Sequence, residues 1–363
     1  MGTKLEILPL EEWFETEGKP LIISGPCSAE SEQQLLQTGR ALATIPEVKL
    51  IRAGIWKPRT RPDIFEGVGE IGLKWLKKLK LETGLKTCVE VATPQHIEAC
   101  LKNDVDVLWV GARTTANPFS VQELADSLKG IDIPVMIKNP LHPDLKLWIG
   151  ALERFNQAGI KKLVAIHRGF YTYEKTPYRN LPMWEIPIEL KRIVPNLAVI
   201  TDPSHICGNR ELLQNISQKA MDLAMDGLML ESHINPSVAL TDASQQLEPK
   251  NLKLLLDNLV HRQEYGTEDF ENLLEKLRFD IDYIDEELLT ILTRRMHKIE
   301  EIGYYKKENN ITVLQMDRLR QMMISRIKVG KDLGLDNKFV TKLLQLVHKD
   351  SIQIQTKIMT QED

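Results

Sequence analysis

The chain has 363 residues, a length that suits two domains, and with 42% hydrophobic and 27% charged residues it can bury a large core. A net charge of −4 and a pI near 6.1 exclude a general nucleic-acid binder and leave the cations to act as local groups. Four cysteines (Cys27, Cys88, Cys100, Cys207) do not make a disulfide framework in a chain this long, and no apolar run is long enough to span a membrane.

The segment Met1 to Pro20 is acidic, carries Trp13 and Phe14, and has no signal-peptide core. Gly2 is followed by Glu6 where a myristoylation signal needs Ser or Thr, which speaks against lipidation, and the cysteine usage makes the cytoplasm the expected compartment. From Leu21 onward come eight short apolar runs: Leu21–Ser24, Lys49–Ala53, Lys86–Val91, Val105–Gly111, Pro134–Lys138, Lys161–Ile166, Ala198–Thr201 and Gly227–Leu230. Runs so nearly continuous mark strands buried on both faces. Helical patterns lie between them, at Glu30–Ala43, Ile71–Leu81, Pro94–Lys102, Val121–Leu128, Leu145–Ala158 and Glu211–Ala224, with a last one at Pro249–Glu264. This rhythm predicts an α/β domain over residues 1–264, a (β/α)8 TIM barrel, with a doubly wound open sheet as the other reading.

The composition changes near Arg262, and Gly266-Thr267-Glu268-Asp269 reads as a linker into a helix N-terminus. From Phe270 there is no strand signal and no proline. Leu273, Leu277, Ile281, Ile284, Leu288 and Ile291 keep a helical period, in a helix running to about Lys307. Two further helices are predicted at Leu314–Val329 and Lys338–Met359. Residues 265–363 are therefore expected to form a small all-α domain whose long first helix turns an apolar face to a partner chain.

Strand exits in such barrels carry the chemistry. Here they read Cys27, Arg52 with Lys57, Glu90, Arg113, Lys138, His167-Arg168, Asp202 with His205, and Glu231. The stretch from Ile51 to Arg61 packs Arg52, Lys57, Arg59 and Arg61 around Gly54, Trp56 and Pro58, a stiff cationic loop suited to a compact phosphorylated anion. Cys27, His205, Glu231 and Asp242 together suit a first-row divalent ion with an open position. Cys207 and His233 are rival ligands, and each of the four has a structural alternative: buried thiol, core imidazole, ion pair, helix cap. Cations spread over five exits beside a metal point to the joining of two phosphorylated small molecules.

The motifs Gly25-Pro26-Cys27-Ser28, Lys57-Pro58-Arg59-Thr60, Gly111-Ala112-Arg113, Ile166-His167-Arg168-Gly169, Asp202-Pro203-Ser204-His205 and Asp226-Gly227-Leu228-Met229-Leu230-Glu231 closely resemble the type I barrel family of 3-deoxy-D-arabino-heptulosonate 7-phosphate (DAHP) synthases, in family order from Leu21 to Leu247. The resemblance implies condensation of phosphoenolpyruvate with erythrose 4-phosphate at the entry to the shikimate pathway. It implies a divalent metal (Mn, Fe, Co or Zn) on Cys27, His205, Glu231 and Asp242, with Cys27, His205 and Lys57 in the chemistry. Arg52, Lys57, Arg113, Lys138 and Arg168 would hold phosphoenolpyruvate, and Lys57, Pro58, Arg59 and Thr60 the aldose phosphate. Arabinose 5-phosphate is the other aldehyde to weigh. Gly25 stands close to the start of the sequence, so the N-terminal regulatory domain of some relatives has no room and feedback control is expected elsewhere.

In the tail, Arg295, Ile299, Ile302 and Lys306 share a helix face, with the two cations about 16 Å apart along it. Leu344, Val347, Ser351, Gln355 and Ile358 form a second such stripe. Either the cations snorkel at the edge of a packing face, or a polar pocket for a dicarboxylate lies between the helices. Leu277-Arg278, Ile284 through Leu289, Arg294-Arg295, Gly303 through Lys306, Asp317-Arg318 and Asp350 through Gln355 resemble the all-α chorismate mutase family. The resemblance implies that Arg278, Arg295, Lys306, Arg318, Ser351 and Gln355 line a chorismate site, with Arg295, Lys306 and Gln355 catalytic. It also implies a homodimer of intertwined helices whose partner copy supplies Arg278. Gln315 and Leu319 stand where the family usually has acids. The tail could therefore be a sensing and dimerising module instead of a catalyst.

Overall fold

The computed structural model describes residues 5–57, 64–262 and 266–360. It divides into two compact units, Met1–Arg262 and Gln263–Asp363. The expected boundary at residues 264/265 lies outside the described residues.

The first unit is a closed barrel of eight parallel strands in sequence order, β1 Leu21–Gly25, β2 Val48–Ala53, β3 Lys86–Val91, β4 Val107–Val110, β5 Val135–Lys138, β6 Leu163–His167, β7 Ala198–Thr201 and β8 Gly227–Glu231. Closure is made by β1 on β8, in register from Leu21↔Gly227 to Gly25↔Glu231. The open-sheet alternative is thereby excluded. The surrounding helices are α1 Glu32–Ala43, α2 Ile71–Thr83, α3 Pro94–Lys102, α4 Ala112–Thr115, α5 Pro118–Ser127, α6 Leu145–Gln157, α7 Glu185–Ile193, α8 Pro203–Cys207, α9 Leu213–Asp222 and α10 Pro249–Asp257. Local chemistry sets their starts. Ser31, Thr93, Asn117 and Asp144 each accept a hydrogen bond from a free N–H of the first turn, and Pro94 and Pro118 begin their helices without needing a donor there.

Several elements differ from the sequence reading, the short helices α4 and α8 among them. Helix α7 was not anticipated, because Pro182 and Pro187 disguise its start; Pro187 sits in the first turn, where its missing N–H costs nothing. Helix α5 begins at Pro118 and not Val121. Helix α10 ends at Asp257 and not Glu264, because the Val260 N–H leaves the helical ladder to bond Gln218 Oε1.

Inward-facing strand residues fill the barrel: Leu21 and Ile23, Leu50, Cys88, Val107 and Trp109, Met136, Val164 and Ile166, Ala198 and Ile200, and Met229. Leu10 and Phe14 of the N-terminal segment join the same cluster. The outward residues pack with the helices in a second cluster, in which Trp148 and Phe155 of α6 are fully buried.

The second unit has three helices, α11 Glu268–Glu308, α12 Met316–Asp332 and α13 Asn337–Thr360. Helices α11 and α12 both pack on α13. Gly303 and Gly330 allow the close approaches: a Cβ at Gly303 would lie 2.8 Å from Ile358 Cδ1, and one at Gly330 2.7 Å from Val340 Cγ2.

Candidate active sites

Strand period explains the first site. Side chains two residues apart point the same way, so the next inward positions beyond the barrel core on β2 to β8 are Arg52, Glu90, Gly111, Lys138, Arg168, Asp202 and Glu231. Six carry a charge where the core's own strand positions are apolar. The seventh, Gly111, makes room: a Cβ there would lie 2.0 Å from Glu90 Oε1.

All but the half-buried Glu90 are buried, and four of them form the ion pairs Arg52–Glu231 and Lys138–Asp202. Arg52, 1% exposed, places Nη2 3.1 Å from Glu231 Oε1 and its guanidinium 5.0 Å from the Trp109 ring centre. Lys138 Nζ donates to Asp202 Oδ2 at 2.8 Å, and His205 Nδ1 is also 2.8 Å from that oxygen. Asp202 caps α8 through its other oxygen, fixing the His205 backbone. Burial works against its negative charge, but His205 and Lys138 hold the Asp202 carboxyl well below the ordinary range. Burial pushes His205 down, toward the neutral imidazole that a metal ligand needs. Arg168 donates to Asn180 Oδ1 at 2.7 Å, and Asn180 donates to the His205 carbonyl. Burial lowers Arg168 to about 10.

Cys27 Sγ, a Glu231 oxygen and an Asp242 oxygen lie within 4.8 Å of one another. Lys57 Nζ is 3.2 Å from Cys27 Sγ, which is 3.3 Å from Asp242 Oδ2. Burial and then Glu231 raise the thiol to about 11, despite the Lys57 ammonium beside it. Asp242 sits at φ 46°, in the left-handed region that non-glycine residues rarely adopt. Burial would raise its carboxyl, but Arg179 and then His205 hold it at about 2. His205 Nε2 is 3.8 Å from Glu231 Oε1 and flanks the trio without joining it. Glu231 Oε1 is buried and receives no hydrogen bond. A buried carboxylate oxygen held only by the Arg52 ion pair, beside a thiol and a neutral imidazole, fits a divalent cation. The rivals lie elsewhere: His233 Nε2 is 3.6 Å from Glu30 Oε2, and Cys207 is buried within α8; neither is in the trio.

Arg113 is exposed on α4, and its charge reaches Arg168. Pro58, Arg59 and Thr60 lie outside the described residues. Sequence reasoning missed Arg179, which donates to Asp242 and Gln245, and Gln245 itself, which donates to Glu231 Oε2 at 2.7 Å. It also missed Gln246, whose Oε1 accepts from the Cys27 N–H. Arg179 lies in a long loop with no period to mark it. Gln245 and Gln246 could have been found from their nearness to Asp242 in sequence.

In the helical unit, Arg295 Nη1 donates to Ser351 Oγ at 2.8 Å, joining α11 to α13. Gln355 Nε2 donates to the Ser351 carbonyl, while its Oε1 is buried without a partner. Lys306 Nζ donates to the Val313 carbonyl at 2.6 Å. Burial lowers the pKa of both Arg295 and Lys306. Arg278 and Arg318 are exposed. Arg278 is about 26 Å along α11 from Arg295, too far to serve the same pocket of one chain.

The chain matches the DAHP synthetase I family over residues 10–267. It belongs to that family. Residues 277–356 match chorismate mutase type II. Among curated relatives, a phospho-2-dehydro-3-deoxyheptonate aldolase of Thermotoga maritima is 30% identical over 66% of this chain and 68% of its own length. A 2-dehydro-3-deoxyphosphooctonate aldolase of Variovorax paradoxus is 30% identical over 66% of this chain and 88% of its own. A bifunctional chorismate mutase/prephenate dehydratase of Escherichia coli is 35% identical over 25% of this chain and 24% of its own length. The crystal structure of a DAHP synthase from Thermotoga maritima superposes with a TM-score of 0.61 at 26% identity, covering 70% of this chain and 75% of that one. The synthase-family unit is the barrel, and the mutase-like segment is the three-helix unit.

Proposed function

We propose that the chain is a two-headed enzyme, in which the barrel condenses phosphoenolpyruvate with erythrose 4-phosphate to DAHP and the helical unit rearranges chorismate to prephenate. The observation that carries the first activity is the ring of charged side chains at the barrel's inward positions, beside the Cys27, Glu231 and Asp242 trio. Cys27, His205, Glu231 and Asp242 would hold a divalent metal, which supplies Lewis-acid polarisation of the aldehyde when bound. Arg52, Lys138 and Arg168, with Lys57 and Arg113 at the rim, bind the phosphate and carboxylate of phosphoenolpyruvate and hold its C3 toward the aldehyde. Their donors are fixed before substrate arrives, so charge that develops as water adds at C2 needs little reorganisation. Lys57, donating to Cys27 Sγ across 3.2 Å, would stabilise the thiolate that a metal ligand must be.

In the helical unit, Arg295, Lys306 and Gln355, with Arg318, take the two carboxylates and the ether oxygen, and Ser351 lines the site and holds Arg295. The rearrangement needs a held conformer and electrostatic stabilisation, not acid–base catalysis. A second copy supplies Arg278, so the active form is a homodimer. The six apolar side chains from Leu273 to Ile291 on α11 support this, each being about half exposed in the single chain. No helix among the described residues is long and apolar enough to cross a membrane, and we place the enzyme in the cytoplasm.

The octonate aldolase likeness keeps arabinose 5-phosphate as the competing aldehyde. Turnover of both aldoses by the purified chain tests this: preference for arabinose 5-phosphate would overturn the barrel assignment. Prephenate formation tests the second activity, and a tail that binds but does not convert chorismate would be a sensor. Control of the barrel through the tail belongs to the same proposal. It fails if prephenate inhibits the synthase equally after residues beyond Arg262 are removed.

A further inference from the structure

One further polar side chain of the helical unit borders a groove between two of its helices. His348 lies one turn before Ser351 on α13, and its Nε2 is buried with no hydrogen-bond partner. It borders an open groove of about 410 Å³ between α12 and α13, where Leu319, Met323 and Ile352 form apolar wall. Burial, then the charges of Arg295 and Lys306, disfavour its protonation, and Arg295 is bonded to Ser351 one turn along the same helix. Among the described residues lining that groove, none is a carboxylate.

The donor inventory around Ser351 is lopsided. Arg295 and Lys306 can only donate, and they suit carboxylate and ether oxygens. Ser351 Oγ is already committed, accepting from Arg295 and donating to the Val347 carbonyl. A neutral imidazole offers one donor and one acceptor. A hydroxyl can meet either ring tautomer, because it too both donates and accepts. Carboxylate and ether oxygens match only an N–H, which the cations supply better.

We propose that His348 is a specificity-determining residue of the helical site, pairing through Nε2 with the ring hydroxyl of the bound dicarboxylate. The inference rests on the mutase reading above.

The test uses the full chain and three variants, His348→Phe, His348→Leu and His348→Gln. Substrates are chorismate and an analogue with hydrogen in place of the ring hydroxyl. His348→Phe should lower kcat/KM for chorismate about ten- to a hundredfold, while turnover of the analogue changes less than about twofold. His348→Gln should recover part of the loss, since its amide also donates and accepts. Unchanged helical circular dichroism and melting confirm that the variant folds, and His348→Leu replaces the Phe variant if it does not. Equal losses on both substrates, or no loss on chorismate, would overturn the proposal. If the wild-type chain turns over no chorismate, the mutase reading fails, and calorimetric titration with prephenate decides for His348. Weaker binding by His348→Phe than by wild type would support it, and equal or absent binding would overturn it.

Discussion

Lys138 and Asp202 show how one residue pair serves both folding and chemistry. They are 6% and 0% exposed and 2.8 Å apart, so removing one partner strands the other's charge in the barrel mouth. Lys138→Met should cost about 3–5 kcal/mol of stability and lower synthase turnover at least about a hundredfold. Adding Asp202→Asn should restore much of the melting temperature but not the turnover. Recovery of both would mean that Lys138 is structural only. His167 makes the opposite case, a titratable group used for packing. It is fully buried against Trp184, with Nε2 2.6 Å from the Pro182 carbonyl, and burial lowers it to about 4. The unfolded chain therefore takes up a proton first as pH falls. Its contribution is complete above about 6.5 and is lost as pH drops toward 4. Between pH 7 and 5 the wild-type chain should lose about 2 kcal/mol more stability than His167→Gln. Equal losses in denaturant titrations at the two pH values would contradict this.

At the scale of elements, the barrel was legible because parallel strands buried on both faces leave continuous apolar runs. The site was legible because charges interrupt the strand period at the mouth. Arg52, Lys138 and Glu231 each stand two residues beyond a buried core residue. Loops carry no such period, so Arg179 and Gln245 could not be read from pattern, though they hold Asp242 and Glu231 in place. Helix α7 was lost for a related reason, its prolines reading as breakers although they flank and open the helix. The three tail helices were found with ends within a few residues, but which side chain faces which helix depends on packing. His348 is the result: its i−3 relation to Ser351 was visible in the sequence, its buried Nε2 was not. The exposed apolar stripe of α11 gives this scale its own test. We expect the full chain to sediment as a dimer at micromolar concentration, and Leu277→Lys/Ile284→Lys to shift it toward monomer and lower mutase turnover. A wild-type monomer with full mutase activity would contradict the two-chain site.

Over the whole molecule, two compact units carry two kinds of chemistry. In the barrel, buried cations and a thiol–carboxylate trio suit bond formation between two phosphorylated substrates. In the three-helix unit, fixed donors suit a rearrangement that moves no proton. The central claim is that the trio and His205 form a metal centre that the condensation requires. The most direct measurement follows the loss of phosphoenolpyruvate absorbance on addition of erythrose 4-phosphate, before and after a chelator, then with manganese restored. The loss should stop with the chelator and return with the metal. Condensation unaffected by thorough metal removal would contradict the metal centre at Cys27, His205, Glu231 and Asp242.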